Sequence, residues 1–330
     1  MADSTKVRLI KMLEKSKEQY ISGNSLANEL TVSRNAIWKA VKSLRMDGYT
    51  IMAATNKGYR LESSGDTLTK EGIVSHLKNI GIFNVEVRKT VTSTNTVLRE
   101  IAAKGVPEGF VLAAEGQTAG KGRMGREFHS PVGHGVYFSL LLRPQLWAGD
   151  AALMTSAAAV AATQAIEDIT GIHAGIKWVN DLYVKGKKVC GILTEAEFSM
   201  ESGLIESVLL GIGINVTRPE KELPRALKEI AGTLTEKTEV NNSERCRIIA
   251  STLDYFWKYY QNLSAREFLT EYRARSIVIG QDIYVIERDG KRPAKAIAIN
   301  DNCELTVRYE TGETETLNSG EVSLMIRRGS

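Results

Sequence analysis

The chain has 330 residues, 43% hydrophobic and 25% charged, enough for about two globular domains and a small third. Its three cysteines, Cys190, Cys246 and Cys303, lie far apart with no Cys-x-x-Cys pairing, and its four histidines, His76, His129, His134 and His173, lack ligand spacing, which argues against a disulfide framework and a resident zinc site. No apolar leader opens the sequence, and the most apolar run, AALMTSAAAVAATQAI, is broken by Thr155, Ser156, Thr163 and Gln164 short of a membrane span, so a cytoplasmic protein that engages no membrane is expected.

Charge is unevenly placed. Residues 1 to 62 hold 11 Lys plus Arg against 6 Asp plus Glu, a net +5, whereas the whole chain is only +4. The excess at one end points to an acidic partner for that end alone. KVRLIKMLEKS places Val7, Ile10 and Leu13 on one helical face. SGNSLANELTVSRNAIWKAVKSLRMDGY then reads as two helices around a tight turn at Thr31 and Val32. Ser22 caps the first, which buries Leu26 and Leu30; Ser33 caps the second, which buries Ile37, Val41 and Leu44 at i, i+4 and i+7. YTIMAATNKGYRLES follows as strand, Asn-Lys-Gly turn and strand. Residues 22–41 are therefore expected to form a helix-turn-helix that meets DNA through Ser33, Arg34, Asn35, Trp38, Lys39 and Lys42, with Lys57 and Arg60 on a wing. One such unit reads a half-site, so a dimer on a two-fold-related operator is expected. A solvated charged helix in a small packing domain is the plainer alternative. SSGDTLTKEG, residues 63–72, is polar and marks the first boundary.

VTSTNTVLREIAA passes from strand to helix through Ser93, Thr94 and Asn95, which can act as an N-cap, as a ligand-binding cluster, or as both. GQTAGKGRMGREF, residues 116–128, follows the strand GFVLAAEG and contains Gly120-x-Gly122-x-x-Gly125. A dinucleotide site needs a helix opening at the third glycine, but here Pro131, Gly133 and Gly135 lead into another strand. A Walker A loop fails too, because Gly116-x-x-x-Gly120-Lys121 is one residue short and Gly122 stands where Ser or Thr is needed. What remains is a flexible loop bearing Lys121, Arg123 and Arg126 between glycines, able to approach an anion from several directions. GIKWVNDLYVKGKKVCGILTE reads as a strand from Ile176 to Val179, an Asn180-Asp181 turn, a strand from Leu182 to Val184, a Lys-Gly turn, and a strand from Val189 to Leu193 with Lys188 at its start. GLIESVLLGIGINV is an apolar strand ending in Gly211-x-Gly213-x-Asn215, whose missing side chains let backbone or ligand come close. The stretch from Ser243 to Ser276 is amphipathic helix. From Ile277 short strands alternate with turns at Asp289-Gly290, Asn300-Asp301-Asn302 and Thr311-Gly312, as in a small barrel.

STN at 93–95, GQTAGKGRMGR at 116–126, KWVNDLYVKGKKVCGIL at 177–193 and GIGIN at 211–215, behind a winged helix-turn-helix, resemble the bifunctional biotin-protein ligases that also repress biotin-synthesis genes. The resemblance spans nearly the whole chain. It implies an α+β multidomain protein: a winged helix-turn-helix over 1–65, a mixed α/β catalytic domain of the biotin/lipoate ligase (class II synthetase-like) type over 66–275, and an SH3-like small β-barrel over 276–330. It further implies that biotin and ATP, with Mg²⁺, give biotinyl-5′-AMP, that biotin passes to a lysine of a biotin carboxyl carrier domain, and that an adenylate-bound homodimer represses at operator DNA.

Under that resemblance Lys188 and Arg123 are catalytic, and Ser93, Thr94, Asn95, Gln117, Lys121, Gly122, Arg123 and Lys188 contact biotin or its adenylate. Arg126, Asn180 and Asn215 are further ATP contacts, and no metal is implied beyond the Mg²⁺ carried with ATP. The chemistry agrees, since a ureido ring offers one carbonyl and two N–H groups that a hydroxyl and amide cluster can pair. Lys121 stands where some relatives have arginine, and Met124 and Phe128 fall at positions expected to vary. Residues 217–234 fall at a second adenylate loop, with a match too loose to carry residues over. The alternatives are a ligase whose DNA domain no longer regulates, a lipoate-type ligase, against which the ureido pairing weighs, and a sensing repressor without chemistry, which would need neither Lys188 nor the cationic loop.

Overall fold

The computed structural model describes residues 4–16, 19–46, 49–62, 68–79, 81–144, 146–147, 151–198, 204–219, 225–236, 242–287 and 290–324. At its N-terminal end, helices α1 (Thr5–Lys15), α2 (Gly23–Leu30) and α3 (Arg34–Met46) precede an antiparallel hairpin of β1 (Ile51–Ala54) and β2 (Gly58–Leu61). The caps fall where the sequence puts them. Ser22 Oγ accepts from Ser25 N–H at 3.0 Å, and Ser33 Oγ accepts from Ala36 N–H at 3.1 Å. Thr31, at φ 54°, makes the left-handed bend between the two helices. Leu9, Ile10, Leu13, Leu26, Leu30, Ile37, Val41, Leu44 and Ile51 then close a core of their own. Each such side chain contributes roughly 1.5–3 kcal/mol on burial, so this small unit has its own driving force.

The boundary expected near residue 65 lies outside the described residues. On its far side α4 (Lys70–His76) opens at Thr69, whose Oγ1 accepts from Gly72 N–H at 3.1 Å. The same hydroxyl is hydrogen-bonded to Tyr49 of the N-terminal unit. Lys6 Nζ lies 2.9 Å from Glu71 Oε1, and His76 Nε2 lies 3.3 Å from Glu14 Oε2, so α1 and α4 are joined by polar contacts.

The central unit continues with β3 (Asn84–Val91), α5 (Thr94–Ala102), β4 (Phe110–Gln117), β5 (Gly135–Leu142), α6 (Ala151–Thr170), β6 (Gly175–Lys177), β7 (Asp181–Val184), β8 (Lys187–Phe198), β9 (Ile205–Asn215), α7 (Arg225–Lys228), α8 (Asn242–Gln261) and α9 (Leu269–Ala274). Seven strands form one sheet in the order β3-β4-β5-β9-β8-β7-β6. Only β3 and β4 are parallel, because α5 carries the chain back between them; the other neighbours are antiparallel. Side chains alternate between the two faces. Val111, Ala113, Val136, Phe138, Leu140, Val208, Leu210 and Ile212 join the core that also holds α6 and α8, while Phe110, Leu112, Leu141 and Leu209 meet Leu98 and Ala102 of α5.

Two readings of the sequence need correction. The first strand of the lysine hairpin stops at Lys177 and does not run to Val179. Trp178 is buried and its Nε1 donates to the Cys303 carbonyl at 2.9 Å, while the Val179 carbonyl accepts from Tyr272 at 3.0 Å, so both residues are taken by tertiary partners. The last strand of that hairpin is also longer than expected, running to Phe198, because β9 pairs with it along its length.

β10 (Asp282–Glu287), β11 (Gly290–Ile299), β12 (Leu305–Tyr309), β13 (Thr314–Leu317) and β14 (Glu321–Leu324) form a five-stranded antiparallel sheet in the order β13-β12-β11-β10-β14. Asp289, of the expected Asp289-Gly290 turn, lies outside the described residues. Ile283, Val285, Ala296, Leu305, Val307 and Val322 extend the central core rather than enclosing a separate one. The three cysteines are buried and free. No helix among the described residues is long and apolar enough to cross a membrane.

Candidate active site and nucleic-acid interface

On the α5 side of the sheet several glycines leave room on the middle strands beside the buried Tyr137. Gly211 pairs with Ser139, Gly213 with Gly191, and Gly135 with Asn215, so small residues lie side by side on three strands. Neighbouring side chains fill the space. A Cβ on Gly211 would overlap the Asn95 amide, and one on Gly213 would come 2.5 Å from the Phe128 ring. A Cβ on Gly191 would lie 3.1 Å from Phe128 and 3.3 Å from Lys188 Nζ, so the glycine loop and the hairpin lysine meet over the same glycine.

Buried polar side chains run along the edge of this floor. Ser93 occupies the N-cap position of α5, but its hydroxyl makes no cap; Gln117 supplies that contact, its Oε1 accepting from Thr94 N–H at 2.8 Å. Gln117 Nε2 donates to Ser130 Oγ at 2.8 Å, and Ser130 donates to the Phe128 carbonyl at 2.9 Å. Thr94 Oγ1 lies 2.7 Å from Ser139 Oγ, which lies 2.6 Å from Asn95 Oδ1. Asn95 Nδ2 donates to Glu195 Oε2 at 2.8 Å. Of the residues expected at the ligand, Thr94, Asn95 and Gln117 are thus drawn into one hydrogen-bond chain, with Ser93 buried beside them.

Most of the cations expected at the ligand have partners of their own. Lys188 Nζ lies 2.6 Å from Asp181 Oδ1, and Arg123 NH1 donates to Asn180 Oδ1 at 3.1 Å. Arg126 is clasped by the C-terminal sheet, its NH1 and NH2 donating to the two oxygens of Glu321 at 2.8 and 2.6 Å. Burial raises the Glu321 pKa, but the Arg126 hydrogen bond and charge outweigh it and hold the carboxyl below the usual range. Lys177, half-buried beside them, is pushed below the ordinary lysine range chiefly by desolvation. Lys121 is exposed, and its charge bears on Glu195. The loop is pinned at its base by Gly122 N–H donating to Arg126 O at 2.7 Å and Phe128 N–H donating to Gly120 O at 2.8 Å, with Met124 and Gly125 at positive φ, 56° and 73°. Asn215 stands apart from this group, since its Nδ2 donates to the Gly232 carbonyl at 3.1 Å. The segment around Gly232 lies along the strand of Lys188, with Lys188 N–H donating to Ile230 O and Gly232 N–H donating to Lys188 O, both at 2.8 Å.

Three family models match the chain: "HTH domain" over residues 6–60, "Biotin/lipoate A/B protein ligase family" over 87–215 and "Biotin protein ligase C terminal domain" over 278–325. Bifunctional ligase/repressor BirA of Bacillus subtilis is 34% identical over 94% of this chain and 96% of its own length, and that of Bacillus spizizenii is 33% identical over the same shares. The chain belongs to the bifunctional biotin-protein ligase/repressor family. A biotin protein ligase from Aquifex aeolicus, solved in complex with biotin and ATP, superposes with a TM-score of 0.61 at 29% identity, covering 73% of this chain and 98% of that one.

The residues expected to meet DNA can be placed on the N-terminal unit. Ser33, Arg34, Asn35, Trp38, Lys39 and Lys42 are all exposed on one side of α3, and Lys42 Nζ sits 5.5 Å from the centre of the Trp38 ring. Lys57 is exposed at the hairpin turn. Arg60 is half-buried: it stacks 5.1 Å from the Tyr20 ring and lies 3.3 Å from Glu62. Sequence reasoning missed Phe128, Ser130, Ser139, Asp181, Glu195 and Glu321. Phe128 stood at a position expected to vary, yet the glycines of β8 and β9 make room for it; spacing on paired strands was the one signal that could have located it.

Proposed function

We propose that this chain joins biotin to AMP with release of pyrophosphate, transfers biotin to a lysine of a biotin carboxyl carrier domain, and binds operator DNA of biotin genes as an adenylate-bound homodimer. Lys188 Nζ and the Phe128 ring resting on Gly191, one strand from the Ser139 and Asn95 chain, is the observation that carries the reading. A small polar ring system and an anion would both find recognition groups there, hydroxyl and amide groups for the first and the Lys188 ammonium for the second. Thr94 and Gln117, with Ser93 beside them, pair the ureido ring, because leaving its N–H and carbonyl groups unpaired in a buried site would be costly. Asn95 backs them from behind.

In the first step a carboxylate oxygen of biotin attacks the α-phosphorus and the bond to the β-phosphate oxygen breaks. Two anions must meet, so the site needs positive charge fixed in place beforehand. Lys188, held by Asp181, and Arg123, held by Asn180, are oriented before substrate arrives. Lys121 and Gly122 cover the adenylate, and Arg126, Asn180 and Asn215 serve the ATP phosphates and ribose side. Mg²⁺ accompanies the triphosphate of ATP. In the second step a carrier lysine amine attacks the acyl carbon and AMP leaves. The mixed anhydride is hydrolysed by water, so the loop must cover it and later yield.

We assign the three units to 1–65, 66–275 and 276–330, and the last to an SH3-like barrel, supported by its five short antiparallel strands. Incubation with biotin, Mg-ATP and a carrier domain tests the activity. One biotinyl mass increment on the carrier is expected; a lipoyl increment alone, with lipoate supplied instead, would overturn the substrate assignment.

A further inference from the structure

Lys188 stands where the large sheet frays. β8 and β9 pair only as far as Cys190 and Ile214, so β9 does not reach it. On the other side the ladder to β7 slips: Leu182 pairs with Cys190, but the next residue, Tyr183, pairs with Lys188, and Val189 is passed over. A bulge of that kind bends the strand and re-aims the side chains around it. Neither neighbouring strand gives Lys188 a regular register.

Residues 230–235 supply one by entering between the two strand ends. Lys188 N–H donates to the Ile230 carbonyl and its own carbonyl accepts from Gly232 N–H, both at 2.8 Å, as in a parallel pair. On the far side Leu234 N–H donates to Asn215 O and Thr235 N–H donates to Val216 O, both at 3.0 Å, while Asn215 Nδ2 holds the Gly232 carbonyl. Both main-chain groups of Lys188 are thus committed to a segment that is itself locked to the end of β9. Leu234 anchors it in the central core. At Gly232 the fit is close, because a Cβ there would come 2.7 Å from Lys187 Cβ, an atom fixed to the backbone of β8. A lysine ammonium rides on a flexible four-carbon stem, so where it arrives depends on where its backbone starts. Lys188 Nζ meets Asp181 and lies over Gly191, and a misplacement of about 1 Å at such a group can cost roughly 10²-fold in rate.

We propose that residues 230–235 form a strap that fixes the register of Lys188, and that Gly232 is a positioning residue for adenylate formation, acting through that lysine. This rests on the reading that Lys188 stabilises charge while the carboxylate attacks the α-phosphorus.

Gly232→Ala tests it in the full-length protein, with pyrophosphate release followed at saturating biotin and Mg-ATP. A loss of about 10-fold is expected. Leu234→Ala, which loosens the strap from the core without a clash, should lose about 5-fold. In a Lys188→Ala background each substitution should cost no more than about 2-fold further, because the group through which it acts is gone. Biotin affinity measured by calorimetry without ATP should fall no further in either variant than it does in Lys188→Ala. A segment that only supported the fold would lower the rate in both backgrounds alike. Losses that multiply on Lys188→Ala, or a rate in Gly232→Ala within about 2-fold of the parent, overturn the proposal. If Gly232→Ala does not fold, the same two outcomes in Leu234→Ala overturn it. Lys188→Ala by itself checks the underlying reading. A large loss there with none in Gly232→Ala sinks the proposal and spares the reading; an unaffected rate in Lys188→Ala sinks both.

Discussion

The molecule carries positive charge in two places and handles it in opposite ways. On α3, Arg34, Lys39 and Lys42 project into solvent with no ion pair among the described residues. In the ligase unit Lys188, Arg123 and Arg126 are tied to Asp181, Asn180 and Glu321. A DNA duplex brings a regular array of phosphates, and free, hydrated cations adjust to it while releasing counterions. A reacting phosphoryl group brings charge at one point for a moment, and cations already fixed there need no reorganisation. The difference teaches that one residue type is left free by its neighbours in one unit and fixed by them in another, as the proposed roles, holding a polyanion and stabilising a transient charge, would require.

The contrast can be broken or sharpened by substitution. The largest effect is expected for Lys188→Ala, which should slow pyrophosphate release by about 10²–10³-fold while leaving the salt slope of DNA binding by the ligand-free chain unaltered; a loss of only a few-fold would remove the distinction between fixed and free cations. Arg123→Ala should shorten retention of the adenylate by about 10-fold while biotin affinity changes by about 2-fold or less, and equal retention by variant and parent in a filter assay would refute its role. Lys39→Ala should weaken operator binding about 5-fold and reduce the salt slope by about one unit, whereas an unchanged slope would mean that Lys39 does not reach a phosphate.

Glu321→Gln should speed adenylate loss about 3-fold by freeing Arg126. The sign of its pH dependence follows from the lowered carboxyl pKa. The contribution of the pair is complete above the unfolded carboxyl value, about 4.3, and is lost only as pH falls through the depressed folded value. Retention in the parent protein should therefore be flat between about pH 6 and 8, and a fall within that window would contradict the assignment. The smallest effect is expected for Arg60→Ala, because that guanidinium already lies on Tyr20 and beside Glu62. DNA affinity should change by less than about 2-fold and stability by about 0.5–1 kcal/mol, and a larger loss of affinity would restore Arg60 to the DNA face.

Much of the DNA-binding unit was legible because its causes are local: Ser22 and Ser33 cap residues three positions on, and Leu26, Ile37 and Val41 follow helical spacing. The glycine loop was legible in part. Its failure to open a helix after Gly125 could be read from Pro131 and Gly135, and β5 follows as expected. Which group caps α5 could not be read, since Ser93 stands in the expected place and Gln117 takes the bond from the end of another strand.

The order of elements, the helix-turn-helix, the basic end of the chain and the glycine-cation loop were determined by the sequence alone, because periodicity, capping and charge act over a few residues. Only the tertiary structure decided that Asn95 meets Glu195 from 100 positions away, that Arg126 meets Glu321 from 195 away, and that glycines on two neighbouring strands leave a floor for Phe128 and Lys188. Those partners are brought together by strand pairing and by burial of a shared core, and no local pattern encodes which distant carboxylate closes on which donor.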